Sequence, residues 1–593
     1  MRNLRLLLIV ICALFAAPLF AANDEASDLA AARVLFDKNL DAIRHRDRPA
    51  YLELYVHSDH LARVGATGFQ TGFDDFAKQR DVRWPDTFDA SDLHLVRVAS
   101  GIVYATYRYR VRYGNEEHTG ISERVFLKTP AGWRIGVTGA IDAPAGTPPP
   151  PRAIVGATLV DGRGGPPVAN ANVILRDGKI DCAGDCAVPA GVATIDGRGL
   201  WVTPGLVDAH VHFAQTGWAD GRPDFLDVRA THPYAKVEAD LKANPQRFAK
   251  SYICSGVTAV FDVGGFPWTL QLADRFANDT LAPHIAAAGP LLSPFIPQQL
   301  LLPAEQEFIS IKDEAAARAA VDYNAAQGAK AIKVWYIVRP PDLAVEVSEK
   351  AVMAAGDEAT KLGLPLIVHS TGLAEAKVAL RAGAKVLVHS VEDLPVDDEF
   401  IALAKKNGTI LIPTLTVIQN VGKLFHAGAD KKMPPVDDPN HCVDKSTMAK
   451  LAETAGAADI PVDRLGRVDK RISDTLAAAN PNLMKLVAAG IPIATGTDAG
   501  NPLTLHGPAI YAEMDAMQSA GMTPMQVIVA STATAARAMG LDAVAGTIEK
   551  GKDADLVIVG ADPTKDVANF RKVRYVVRAG VVRNIEELSA MAQ

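Results

Sequence analysis

The sequence predicts an α/β protein built around a (β/α)8 barrel of the TIM type, with a composite β-sandwich drawn from both flanks of the barrel and a small α+β cone domain in front. Three observations predict it. Eight short apolar runs alternate with Ala-rich helical stretches over about 340 residues, the pattern of buried parallel strands with helical crossovers. Short strands punctuated by glycine turns stand on both sides of that region. Pro148-Pro149-Pro150-Pro151 separates all of this from an N-terminal segment of different texture.

Residues 1–22 read as a secretory signal peptide: Arg2 and Arg5 precede an uncharged stretch from Leu6 to Phe20, and Ala21 and Ala22 supply small residues for cleavage. The apolar stretch is broken at Pro18 and falls short of the ~20 residues that span a bilayer. Residues 26–143 form the cone domain. Helical spacing of Leu29, Val34, Leu35, Leu40 and Ile43 gives way to alternating strands, Val103 to Tyr109 and Ser122 to Leu127, ending in Gly132-Trp133-Arg134-Ile135. On these strands the segment resembles the SnoaL-like, or nuclear-transport-factor-like, superfamily, whose members range from isomerases to dimerisation modules, so the likeness implies a fold and no activity. Asp47, His57 and His60 stand either at a pocket mouth or on solvated loops. Residues 144–152 are a Pro-rich linker. Residues 153–203 and 545–586 carry the flanking strands, and residues 204–544 the barrel, with strands expected at 206–212, 256–264, 284–289, 331–335, 366–370, 386–390, 409–415 and 491–498.

The chain has 61 Lys and Arg against 68 Asp and Glu, a formal net charge of −7, and no long basic run, which argues against nucleic acid as a partner. A small-molecule substrate is expected, with no membrane anchor once the signal is removed, an exported (periplasmic or secreted) location, and homo-oligomerisation left open. Of the cysteines beyond the signal, Cys182 and Cys186 flank a three-residue turn. A small disulfide and two free thiols are both open readings there.

The barrel's chemistry sits at its strand ends. His210 and His212, two apart at the end of the first strand, leave an extended chain on one face and can converge on a cation. His369 and His389 close the fifth and sixth strands, and Asp498 closes the eighth. Lys333, on the fourth, is cationic and would repel a metal, but carboxylation by carbon dioxide turns it into a two-oxygen anion able to bridge two ions.

These residues lie in "TPGLVDAHVHF" (203–213), "GAKAIKVW" (328–335), "VHS" (368–370), "AGAKVLVHS" (382–390), "ATGTDAG" (494–500), "GMTPMQVIVASTATAARAMG" (521–540) and "GTIEKGKDADLVIV" (546–559). Over residues 152–586 the chain resembles the amidohydrolase superfamily, within it the group of imidazolonepropionase-related proteins and exported Xaa-Pro or Xaa-Lys/Arg dipeptidases. The resemblance implies that His210, His212 and Asp498 bind one of two divalent ions, most simply zinc, that His369 and His389 bind the other, and that N-carboxylated Lys333 bridges them. It also implies that Asp498 moves the proton, first as base and then as acid. Tyr336 and Arg339, just past Lys333, are candidates to hold the tetrahedral oxygen and a substrate carboxylate.

The sequence departs from those relatives at Thr371, at Gly289 to Pro294, and in a long seventh loop from about Thr416 to Val468. All three lie where substrate is chosen. Gly372 stands where deaminases of the superfamily place Glu, which with Lys333 argues against deamination. The expectation is an exported binuclear hydrolase of an amide C–N bond in a dipeptide, N-acyl amino acid or lactam. Two alternatives remain: a barrel that has become a binding scaffold, and a cone domain with its own isomerase or lyase activity.

Overall fold

A computed structural model describes residues 25–65, 68–78, 83–114, 116–143, 149–303, 305–337, 344–456, 460 and 462–593. The expected signal peptide, most of the linker at 144–152 and Arg339 lie outside these. The chain divides into two compact units, residues 1–150 with 189–193, and residues 151–188 with 194–593.

In the first unit a helix spans residues 25–44. It is followed by β1 (Ala62–Gly65), β2 (Gly68–Thr71), β3 (Thr87–Ala99), β4 (Ile102–Tyr113), β5 (Glu116–Thr129) and β6 (Gly132–Asp142) in one sheet of order β2-β1-β6-β5-β4-β3. Strict alternation drives the core. Val103, Ala105, Tyr107, Tyr109 and Val111 of β4 are buried while the residues between them are not, and Leu35, Phe36 and Leu40 of the helix join the same apolar cluster. Asp47 accepts from Ala50 N at 3.0 Å and caps a short helix, His57 stacks on Phe73, and His60 is exposed.

The second unit begins with β7 (Arg152–Leu159), β8 (Val168–Arg176), β9 (Lys179–Gly184), β10 (Ala193–Asp196) and β11 (Trp201–Pro204) and ends with β21 (Leu556–Val559), β22 (Val573–Arg578) and β23 (Val581–Asn584). The two flanks meet through antiparallel pairing of β11 with β21, Trp201 opposite Val559, so that strands from both ends share one hydrogen-bonded sheet.

Between the flanks run the parallel strands β12 (Leu206–Val211), β13 (Val257–Asp262), β14 (His284–Ala287), β15 (Leu291–Ser293), β16 (Phe308–Ser310), β17 (Ile332–Trp335), β18 (Leu366–His369), β19 (Val386–Val388) and β20 (Ile410–Ile412). β12, β13 and β14 form one sheet, and β16-β15-β17-β18-β19-β20 another. Lys330 N donates to Ala287 O at 2.9 Å between them. Seven expected strands are present, and β15 and β16 are additional. The expected strand at 491–498 is instead a run of isolated bridges, Leu411 to Ile493 and Val211 to Ala499. Pro492 removes a ladder donor, and Asp498 has φ 63°, so regular pairing cannot extend through the segment.

Inward residues of these strands, among them Val207, Ala209, Phe261, Ala331, Ile367, Val388, Ile412 and Ala494, form a separate apolar cluster. It is the floor on which the polar strand ends stand.

Candidate active site

A cavity of about 610 Å³ opens above that floor, and its lining includes His210, His212, Lys333, His369, His389 and Asp498. Six side chains from five separate segments therefore share one chamber. Period-2 geometry explains the placement of Lys333 and His369. On β17, Ala331 faces the inner cluster, and Lys333, Trp335 and Ile337 follow on the same side to line the cavity. Tyr336 belongs to the other parity: it is 2 % exposed, packs in the outer apolar cluster and does not line the cavity. The structure thus does not bring Tyr336 to the reacting centre.

His389 and Asp498 reach the chamber by a different device. Both follow strand segments with left-handed backbone, φ 75° and 63°, a conformation rare for non-glycine residues and concentrated at functional sites. Gly496 makes room for the first strand: a Cβ there would stand 2.7 Å from the Cβ of His210.

The imidazoles are held from behind. His212 Nδ1 donates to Gly264 O at 2.6 Å, which turns its Nε2 toward Asp498 Oδ1, 3.0 Å away. His210 Nε2 lies 3.3 Å from the same oxygen. His389 Nδ1 is hydrogen-bonded to Thr414 Oγ1 at 2.6 Å, and its ring centroid is 4.3 Å from that of His369. Such outer partners fix the tautomer that presents a lone pair. Asp208, two residues before His210, accepts from Thr497 N at 2.9 Å and Thr497 Oγ1 at 2.6 Å, fastening the last segment to the first strand. Asp262 accepts from Phe213 N at 2.8 Å and steadies the loop after the His-X-His pair.

The electrostatics favour a cation in the chamber. Burial, then Lys333, holds His210 well below the usual histidine range. Burial, then His389, does the same for His369, and burial brings His389 down to about 4. These rings are neutral, the form that binds metal. Burial opposes the Asp498 charge, but His210 and His212 more than reverse it, so the carboxyl sits well below its ordinary range. Burial also pushes the Lys333 ammonium down to about 7, which makes its free amine available near neutrality. Ligand atoms of His210, His389 and Asp498 all lie within 4.8 Å of one another. Neutral imidazoles, an ionised carboxylate and this mutual reach fit a divalent cation.

Further out, sequence reasoning missed a charged rim. Arg222 grips Asp224 through both nitrogens at 2.8 Å and also donates to Asn501 Oδ1. Glu307 is 3 % exposed and is pushed up to about 7 by burial. Arg471 donates to Glu392 at 2.5 Å. Only Asp208 carried a local signal, since it shares parity with His210; the others come from distant loops. Phe225, Phe295, Phe308, Trp335, Val417 and Val421 supply apolar surface to the same lining. Thr371 lines the cavity, as does the start of the seventh loop, the helix Val417–Ala429.

That loop is fastened by a disulfide between Cys254 and Cys442, 188 residues apart. Cys182 and Cys186 are also bonded, which resolves the two readings of that turn.

Known proteins resemble this chain in sequence and in fold. Ochratoxinase from Aspergillus niger is 25 % identical over 401 residues, spanning 63 % of this chain and 73 % of that protein. A solved Xaa-Pro dipeptidase with methionine in its active site superposes with a TM-score of 0.57 at 22 % identity, covering 73 % of this chain and all of the other. A putative prolidase from Bifidobacterium longum gives 0.55 at 24 % identity, covering 75 % and 99 %. The family model of the amidohydrolase family matches residues 201–583, and the chain belongs to that family, hydrolases that act on carbon–nitrogen bonds.

Proposed function

We propose that the protein is an exported, binuclear metal-dependent hydrolase that cleaves the amide bond of a small molecule. The observation that carries the reading is the convergence of His210, His212, Lys333, His369, His389 and Asp498 on one cavity. His210, His212 and Asp498 would hold one divalent ion and His369 and His389 the second, with Lys333, carboxylated on Nζ, as the anionic ligand between them in a closed eight-stranded barrel. Zinc is the first choice for an imidazole-rich donor set. Bound there, the ions supply Lewis acidity that polarises an amide carbonyl and acidifies water to a pKa near ~7.

The chain's own groups do the rest. Asp498 takes the proton of the attacking water as the new C–O bond forms, then returns it to the nitrogen as the C–N bond breaks, so the products are a carboxylic acid and an amine. His212, fixed by Gly264 O, and His389, fixed by Thr414, keep the chamber's geometry constant through the step. The apolar wall of Phe295, Phe308 and Trp335 accepts a bulky acyl or side-chain group. A cavity of this size suits a dipeptide, an N-acyl amino acid or a lactam.

Two disulfides support export, because such bonds persist in oxidising compartments. The helix followed by a mostly antiparallel sheet, with β1 and β6 parallel, supports a SnoaL-like N-terminal domain.

The test is a hydrolysis screen of metal-loaded protein against dipeptide and N-acyl amino acid libraries, alongside elemental analysis. Turnover that follows metal content bears the reading out. A protein that takes up no metal on reconstitution and turns over nothing is a binding scaffold instead.

A further inference from the structure

Arg124 stands on β5 with its side chain on the covered face of the N-terminal sheet, and it is 6 % exposed. Other arginines of this unit have carboxylate partners: Arg97 pairs with Asp28, Arg110 with Asp89 and Arg134 with Glu53. Arg124 is more buried than these and forms no ion pair among the described residues. An arginine keeps its charge in a protein, and taking such an ion from water without a counter-charge costs several kcal/mol.

Its hydrogen bonds are one-sided. Nη1 donates to Ser122 Oγ at 2.8 Å, to Glu123 O at 3.1 Å and to Thr138 Oγ1. Nε is buried without a partner, and Nη2 makes no hydrogen bond among the described residues. The occupied nitrogen therefore pins the guanidinium, and the Nε and Nη2 edge, the pair that grips a carboxylate with two parallel bonds, carries no hydrogen bond among the described residues. Unused neutral groups belong to the same cluster. The guanidinium carbon lies 5.4 Å from the centre of the Tyr107 ring, and Tyr107 Oη is buried without a partner. Phe36 packs edge-on against Tyr107 at 4.9 Å, and Asn39, one turn further along that helix face, is 1 % exposed with both amide atoms unpartnered. The fixed positive charge of Arg124, neutral hydroxyl and amide groups, and walls of Phe36, Phe126 and Tyr107 make the surroundings of an organic anion whose apolar part those walls accept, which favours a carboxylate over inorganic phosphate.

We propose that the covered face of the N-terminal sheet binds a small monocarboxylate, held through two bonds by Arg124 and assisted by the Tyr107 hydroxyl.

The test is calorimetric titration of the full-length protein with acetate, benzoate and inorganic phosphate. At least one carboxylate should bind with one site per chain and more tightly than phosphate. Arg124→Met should abolish that binding, at least 100-fold, and Tyr107→Phe should weaken it about tenfold, the scale of one hydrogen bond to a charged group. Both variants should keep wild-type circular dichroism and metal content. Wild-type affinity in Arg124→Met would locate the carboxylate elsewhere and overturn the proposal. So would the absence of binding by either carboxylate, or a preference for phosphate. If Arg124→Met fails to fold, Tyr107→Phe decides, since unchanged affinity there excludes the site.

Discussion

Two groups of one histidine and nearby carboxylate or imidazole donors lie in the barrel unit, and they have opposite surroundings. His210, His389 and Asp498 meet at the cavity; His284, Asp553 and Asp555 meet where β14 approaches the segment before β21. In the second group the protein supplies its own cations: Lys179 pairs with Asp553, and Arg578 and Ala579 N bind Asp555. His284 Nε2 adds a bond to Asp555 at 2.8 Å. In the first, Asp498 is met only by imidazoles among its ion pairs, and the nearby Lys333 is itself driven toward neutrality by burial. Donor chemistry alone thus does not tell the two clusters apart. What separates the two is whether the fold has already spent its positive charge there.

The largest effect that tests this contrast is loss of Lys333, the proposed bridging group. Lys333→Ala should empty the site by elemental analysis and lower amide turnover on the order of 10³-fold or more, the scale of removing a metal-activated nucleophile; full activity would end the bridging role. Next comes geometry without chemistry. Gly496→Ala pushes a methyl to within 2.7 Å of the His210 Cβ and should cost ~10²-fold in turnover, as small misplacements of reacting groups do, with a far-ultraviolet spectrum like wild type. In the other cluster the expectations reverse. Asp555→Asn leaves Arg578 buried without its carboxylate and should cost about 3 kcal/mol of stability, read by denaturant unfolding, while bound metal and turnover stay unchanged. Metal loss in that variant would mean the second cluster is no mere joint.

The contrast also marks what could be read from sequence. Strand ends were legible because buried parallel strands are continuous apolar runs, and the ligands stand where those runs stop. His210 and His212 were legible from spacing. Tyr336 shows the cost of proximity reasoning: it adjoins Trp335, yet period 2 sends it to the outer layer, a conclusion parity with Lys333 alone would have allowed. His389 breaks that same parity through its positive φ, which no periodicity encodes. The Cys254–Cys442 bond, the grip of Arg222 on Asp224 and the buried Glu307 depend on loops that meet only after folding, so no local signal announced them.

The smallest expected effect is a pH dependence that arises in the second cluster. Burial works against a charged His284, but the hydrogen bonds it donates to Asp553 and then Asp555 more than reverse this, so its pKa is raised in the folded protein. A raised folded pKa means the native state binds the proton more tightly than the unfolded chain, whose histidines titrate near ~6.5. The stabilisation is therefore complete below that value and fades as pH climbs through the folded pKa. Wild type should lose stability relative to His284→Gln as pH rises from the ordinary histidine range, ~6.5, through the raised folded pKa, measured as the difference between their denaturant midpoints. Asp553 behaves in the opposite sense: held down to about 2, first against burial and then by His284 and Lys179, it contributes above the ordinary carboxylate range and loses its contribution as pH falls toward that value. A midpoint difference that stayed flat across the alkaline limb would show that His284 is neutral in the folded state, and the two clusters would then differ only in exposure to the cavity.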